Sequence, residues 1–400
     1  MREATVLTPK GVASRTTFLD WETQPSPFKH YPSFCHRIAL ENHPTLGWIG
    51  EIRTLTHTQK IFNKPYYRLN VPSAGNLHPI ELYVQLRNVS GVLSGIYHLD
   101  THANSLVLIE EIASEGLEPY VGLENRLYGA LLFFTLVPFR SGWKYGMRGG
   151  RYLYLDLGHA VGGLMGVAHH YGKDFYPVTP QEPSVLNGRL GMGEEEYVAA
   201  VYAIGTLSDK TVQPLASPVM RVSPCDYTLE NEPLHAWVAS QKLYTSLHPH
   251  YGKWWTKQSN STRRSSREFS PKAFGETILT TLLQMHSDTL EIIPIVLVAQ
   301  THPCGVYRAG VCCEEGNFTA EIVHLLLDQR FIARANVVIL LFAQNFTAHA
   351  HSDAGVFAHE LYSFGEHHGI GCSGIGAFYD ELAVQWSPRP LLYAVALGEK

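Results

Sequence analysis

The sequence has few cysteines and no C-x-x-C spacing. Its six are scattered, apart from the adjacent Cys312 and Cys313. That argues against a disulfide framework and common paired-cysteine motifs, and makes a reducing, cytoplasmic setting the expectation. Long hydrophobic runs are missing too. Gly129–Phe139 and Ala335–Ala343 are far short of a bilayer span and read as buried strands, so no membrane partner is expected. Met1–Lys10 has no apolar core of a secretory signal. Charged residues make up 17% of the chain and the net charge is −5. This balance gives no general pull toward nucleic acid, so any basic cluster has to be read as a local site. No G-x-S-x-G elbow occurs.

What is present fits a globular protein. At 400 residues with 45% hydrophobic content, the chain is long enough for two cores. Residues 1–64 read as an irregular N-terminal segment rich in Pro, His and aromatics. Residues 65–205 read as a first domain, 206–259 as a proline-punctuated connector with one short helix near Leu234–Leu247, and 260–400 as a second domain. In the first domain the patterns predict strands at Ile80–Arg87, Gly95–Leu99, Ser105–Glu110, Leu131–Pro138 and Tyr197–Ile204. They also predict a long helix over Tyr152–Tyr171, closed by Gly172. In the second they predict helices at Ala273–Met285 and Asp353–His368, and strands at Ile293–Ala299, Gly305–Ala309, Val337–Ala343 and Leu391–Leu397.

The two halves overlay. Gly95-Ile96-Tyr97 falls on Gly305-Val306-Tyr307, and Gly158–Gly172 falls on Gly355–Gly369 with Leu164 on Leu361. An internal repeat at domain scale, and hence an intrachain pseudo-dimer, is the expectation.

Four segments carry candidate chemistry. Pro72-Ser73-Ala74-Gly75-Asn76 is small and hydrogen-bonding, so a flat ligand could approach its backbone. Arg263-Arg264-Ser265-Ser266-Arg267 offers guanidinium forks and a hydroxyl to an anion. Lys144 and Tyr145, in a glycine-rich stretch ahead of the long helix, are adjacent proton donors that an apolar pocket would tune. Gly369–Gly376 matches G-x-G-x-x-G, but a helix precedes it where the dinucleotide motif needs a strand. It reads as a close-packed loop against a flat ring. Taken singly, each of the four also reads as an ordinary loop, linker end or helix terminus. His349, His351, Asp353 and His359 have no recognised ligand spacing, and no metal is expected.

Together these segments resemble the flavin-dependent nitroreductase superfamily, and within it the SagB-type dehydrogenases, which include azoline oxidases of modified peptides. The resemblance covers roughly 65–205 and 260–400, and Gln24–Lys29 is similar to the SagB-type leader. It implies an α+β fold of two tandem FMN-dependent nitroreductase-like domains forming an intrachain pseudo-dimer. It implies FMN as cofactor, with its phosphate on Arg263, Arg264, Ser265 and Arg267. The ring would meet Ser73, Ala74, Gly75 and Asn76, and Cys372, Ser373, Gly374 and Ile375 would lie along it. Lys144 and Tyr145 match the pair that azoline oxidases need. The front half has no R-R-S and the back half no P-S-x-x-N, so one flavin per chain is expected. Three activities stay open: dehydrogenation of an azoline or other heterocyclic or peptide-like substrate, NAD(P)H-dependent nitro or quinone reduction, and non-catalytic flavin binding. The expected partner is a small-molecule or modified-peptide substrate, with NAD(P)H and a further homo-oligomer left open.

Overall fold

The computed structural model describes residues 2–14, 19–61, 64–225, 232–248 and 250–400. The chain divides into two compact units, Asp20–Lys253 and Trp254–Lys400, the latter together with Met1–Leu19. Within residues 1–19 the short helix α1 (Pro9–Ala13) starts on a Thr8 cap, whose hydroxyl accepts from the Gly11 amide.

The unit Asp20–Lys253 is built on β1 (Arg37–Ala39), α2 (Gly47–Ile52), the hairpin β2 (Leu55–Ile61) and β3 (Lys64–Leu69), then β4 (Ile80–Arg87), β5 (Gly95–Asp100) and β6 (Ser105–Glu111). A short β7 (Glu115–Gly116) precedes β8 (Asn125–Leu136), α3 (Pro138–Tyr145), α4 (Gly149–His170) and β9 (Phe175–Pro177). After α5 (Pro183–Arg189) come β10 (Tyr197–Thr211), β11 (Gln213–Pro214) and α6 (Glu232–Ala239). The main sheet runs β1-β6-β5-β4-β8-β10-β9, and each of its pairings is antiparallel. Side chains alternate across a strand. Tyr83, Leu131, Phe133, Val201 and Ala203 therefore share one face, in a cluster with Leu186 and Leu190 at α5. Helix α4 packs on β4 and β8. Every residue from Gly149 to Ala168 is buried, which is why the helix lacks a polar stripe.

The second unit repeats this plan. Its elements are α7 (Lys257–Thr262), α8 (Glu276–Gln284), β12 (Leu290–Val296), β13 (Gly305–Arg308), β14 (Val311–Glu315), α9 (Thr319–Leu325), β15 (Val337–Ala343), α10 (Ala348–His367), β16 (Gly371–Ile375) and β17 (Leu391–Gly398). The sheet order is β14-β13-β12-β15-β17-β16. Substituting β6, β5, β4, β8, β10 and β9 gives the first sheet without β1. The overlay extends to single hydrogen bonds. Tyr97 donates to the Leu93 carbonyl and Tyr307 to the Pro303 carbonyl, each at 2.8 Å. Both long helices end before a glycine with positive φ, Gly172 at 58° and Gly369 at 71°.

Four expectations need correction. Residues 1–64 are not uniformly irregular, because β1, α2 and β2 lie there and β1 adds an edge to the main sheet. The stretch after Leu136 is helical: α3 runs through Lys144 and Tyr145, and one tight turn, Gly146–Arg148, joins it to α4. Gly371–Ile375 is not a loop but the edge strand β16, paired along β17. Small residues suit both states, and tertiary pairing decides. The strand begun at Tyr197 continues to Thr211, into the segment read as connector. Of that connector, residues 226–231 and 249 lie outside those described. No described helix is long and apolar enough to cross a membrane.

Candidate functional site

In Asp20–Lys253, the segment Ser73–His78 is a tight turn with positive φ at Gly75 (63°), Asn76 (59°) and His78 (47°). Hydrogen bonds within the turn and to Asp156 and Tyr67 maintain it. The Ser73 hydroxyl donates to Asp156 Oδ2 at 2.5 Å and accepts from the His78 amide at 2.9 Å. The Ala74 amide donates to Asp156 Oδ1 at 3.1 Å. Asn76 Nδ2 donates to the Tyr67 carbonyl at 2.6 Å, and Asn76 Oδ1 lies 3.0 Å from His78 Nε2. The Ser73 and Asn76 side chains thus brace the turn, while Gly75 is exposed. Asp156 is deeply buried, and burial pushes its carboxyl up to about 7 despite the hydrogen bonds from Ser73 and Ala74.

Helix α3 brings the Lys-Tyr pair to this turn. A Cβ on Gly75 would lie 2.6 Å from the Tyr145 hydroxyl and 3.3 Å from Lys144 Cδ. Two segments about 70 residues apart therefore form one half-exposed patch. The Lys144 ammonium lies 5.3 Å from the Trp21 ring centroid and 5.5 Å from that of Tyr145. Burial lowers its pKa from the ordinary lysine value.

A buried ionic network fixes the patch from behind. Glu81 on β4 contacts Arg140 at 2.6 Å, His98 at 3.1 Å and Arg53 at 3.3 Å. Burial alone would raise the Glu81 pKa. Arg140, the His98 hydrogen bond and Arg53 outweigh it and hold the carboxyl well below the usual range. Arg140 also donates to the His78 carbonyl at 2.9 Å. Arg140 lies on α3, so one side chain ties the turn to the helix that carries Lys144 and Tyr145. Nearby, Glu196 accepts from Lys29 at 2.8 Å, Tyr83 at 3.2 Å and Thr135 at 2.6 Å.

In the second unit, Tyr362 of α10 gathers the other predicted residues. The Arg263 guanidinium is buried and lies 5.1 Å from the Tyr362 ring centroid. The Ser265 and Tyr362 hydroxyls are 2.8 Å apart, and the Gly374 amide donates to the Tyr362 hydroxyl at 2.7 Å. The Ser266 amide donates to the Cys372 carbonyl at 2.9 Å, adding the Ser265 segment beside β16. Arg264 is half-buried and Ser265 exposed. Burial lowers the Arg263 pKa, with Tyr362 opposing the shift. Burial, helped by Arg263, pushes the neighbouring His359 down to about 3. Arg267 points elsewhere, lying over Phe331 at 5.0 Å. Cys372, Ser373 and Ile375 are buried, and burial pushes the Cys372 thiol up. Gly374 is the half-buried member of that group, and a Cβ there would overlap the Tyr393 hydroxyl. Among the described residues no three His, Cys, Asp or Glu side chains gather as a metal site requires.

Residues 47–206, which span the turn, the Lys-Tyr pair and Asp156, match the Nitroreductase family model. That stretch is similar to the nitroreductase family. A protein of Methanocaldococcus jannaschii is 34% identical over an alignment of 101 residues that covers 23% of this chain and 48% of that protein. The chain thus spans about half the length of that relative. A crystal structure from Anabaena variabilis superimposes with a TM-score of 0.81 at 21% identity, covering 100% of this chain and 98% of its own. Both are described as a "putative nitroreductase". The Anabaena likeness establishes the fold over the full length. One chain of an E. coli microcin synthetase complex gives a TM-score of 0.34 at 15% identity, covering 52% of this chain and 86% of its own, too loose a fit to bear on function.

Sequence reasoning missed two residues that organise these segments, Asp156 and Tyr362. The overlay that sets Leu164 on Leu361 also sets Asp156 on Asp353. A carboxylate repeated at matched, buried positions of the two long helices was the available signal for Asp156. Tyr362 aligns with Met165 and had no such signal.

Proposed function

We propose that this chain is an FMN-dependent oxidoreductase of the SagB dehydrogenase type, holding one flavin per chain and oxidising an azoline or other heterocyclic or peptide-like substrate. The observation that carries the reading is the meeting of Arg263, Ser265 and Gly374 at Tyr362.

The donor chemistry suits FMN. A phosphate needs cations and a hydroxyl donor, and Arg263, Arg264 and Ser265 supply them. A flat ring needs backbone it can approach, and the exposed Gly75 supplies that beside Tyr145. Ser73 and Asn76 act by shaping the turn, since their side chains are already engaged by Asp156, Tyr67 and His78. When bound, FMN would supply two-electron redox chemistry. Lys144 would hold or release a proton at Nζ, because its lowered pKa brings the neutral amine closer to physiological pH. Tyr145 would orient that proton through its hydroxyl. Arg140 would keep both residues in register with the turn through the His78 carbonyl.

Turnover of the Lys144→Ala protein tests the assignment. It should keep its flavin and lose substrate oxidation. Full turnover would remove the proton-transfer role, and rapid NAD(P)H oxidation with a quinone acceptor would favour reductase activity instead.

A further inference from the structure

Residues 20–29 form a strap across the first unit. At one end, the buried Lys29 donates to Glu196 at 2.8 Å and to the Tyr83 hydroxyl at 2.7 Å, and its amide donates to Glu81 at 3.2 Å. Breaking a buried pair of this kind leaves an uncompensated charge, so this end is a firm anchor. Phe28 packs edge-on against Tyr67 at 5.0 Å, and the Tyr67 carbonyl holds Asn76. Pro25 and Pro27 restrict the backbone between the two ends.

The other end closes over the Lys-Tyr patch. Asp20 caps the turn Trp21–Thr23 by accepting from the Glu22 amide at 2.9 Å. Trp143 Nε1 donates to the Thr23 hydroxyl at 2.9 Å, and Lys64 donates to the Trp21 carbonyl at 3.0 Å. The Trp21 ring meets Trp143 edge-on at 5.6 Å. It nevertheless stays 53% exposed, an unusual exposure for a large ring that is held so specifically. Its face accounts for one of the two rings beside the Lys144 ammonium.

We infer that Trp21 is a positioning residue for Lys144, which the strap anchored at Lys29 holds over the ammonium to screen it from water and fix it beside Gly75. The inference deepens the proposed function, because it rests on Lys144 moving the proton. It also gives the Gln24–Lys29 motif a physical role, since that segment sets the reach of the strap.

Competitive acetylation with acetic anhydride tests this without turnover. Labelling of the Lys144 peptide is followed by mass spectrometry against pH in the full-length protein. In the wild type Lys144 should titrate below the ordinary lysine value. In Trp21→Ala, water reaches the amine, and its labelling midpoint should rise by about half a pH unit or more toward the ordinary lysine value. Trp21→Phe, which keeps a ring, should restore the wild-type midpoint. An unchanged Lys144 midpoint in a folded Trp21→Ala protein would overturn the inference. So would a rise in Trp21→Phe equal to that in Trp21→Ala. Because labelling reads the amine itself, a catalytically silent Lys144→Ala variant would sink the proton-transfer role while leaving this result standing.

Discussion

The Tyr145 hydroxyl fills the place that a Cβ on Gly75 would take, 2.6 Å from that position. Gly75 also needs its positive φ of 63°. Gly75→Ala therefore meets two penalties, and the left-handed backbone alone costs about 1–2 kcal/mol. Adding Tyr145→Phe removes the clashing oxygen and should recover the steric part. Urea unfolding of the two single variants and the double variant reads this as non-additivity.

Glu81 neutralises Arg53 and Arg140 inside the protein. Glu81→Gln leaves both guanidiniums without their carboxylate and should destabilise the fold by about 3–5 kcal/mol. Equilibrium urea unfolding measures the loss, and a change below about 1 kcal/mol would contradict the network's role.

Asp156 and Glu81 set opposite pH slopes. The Glu81 pKa is depressed in the fold, so its contribution is present above the ordinary carboxylate range and is lost as pH falls below it. The Asp156 pKa is raised from 3.8 to about 7. Its contribution is fully present below the ordinary value and is lost as pH rises to about 7. Asp156→Asn still offers an acceptor to the Ala74 amide and cannot ionise. Urea midpoints at pH 5 and pH 8 should differ less in this variant than in the wild type.

Tyr362→Phe keeps the ring beside Arg263 but takes the acceptor from the Gly374 amide and the partner from Ser265. A lost partner at a buried polar group costs about 1–3 kcal/mol. The purified variant should carry less flavin per chain than the wild type, measured by absorbance after denaturation.

The repeat was legible because it rests on residues with steric duties. Gly95 and Gly305 both lie where a Cβ would strike the neighbouring strand, and Gly172 and Gly369 both close a long helix. Strand Ile80–Arg87 was readable to the residue from its strand-like residue pattern. Other features depend on partners distant in sequence. Gly371–Ile375 becomes a strand only by pairing with Leu391–Gly398. Gly149 lets α4 approach the α3 backbone closely, since a Cβ there would lie 3.0 Å from the Ser141 carbonyl carbon. The inward turn of Ser73 depends on Asp156, 83 residues away, and no local pattern announces it.

The central proposal is one flavin per chain, with its phosphate on Arg263, Arg264 and Ser265. The direct measurement is the amount of FMN released per chain when the purified protein is denatured. The account predicts one FMN per chain, with near-complete loss in an Arg263→Ala, Arg264→Ala double variant. Two FMN per chain, none, or an undiminished ratio in that variant would contradict it.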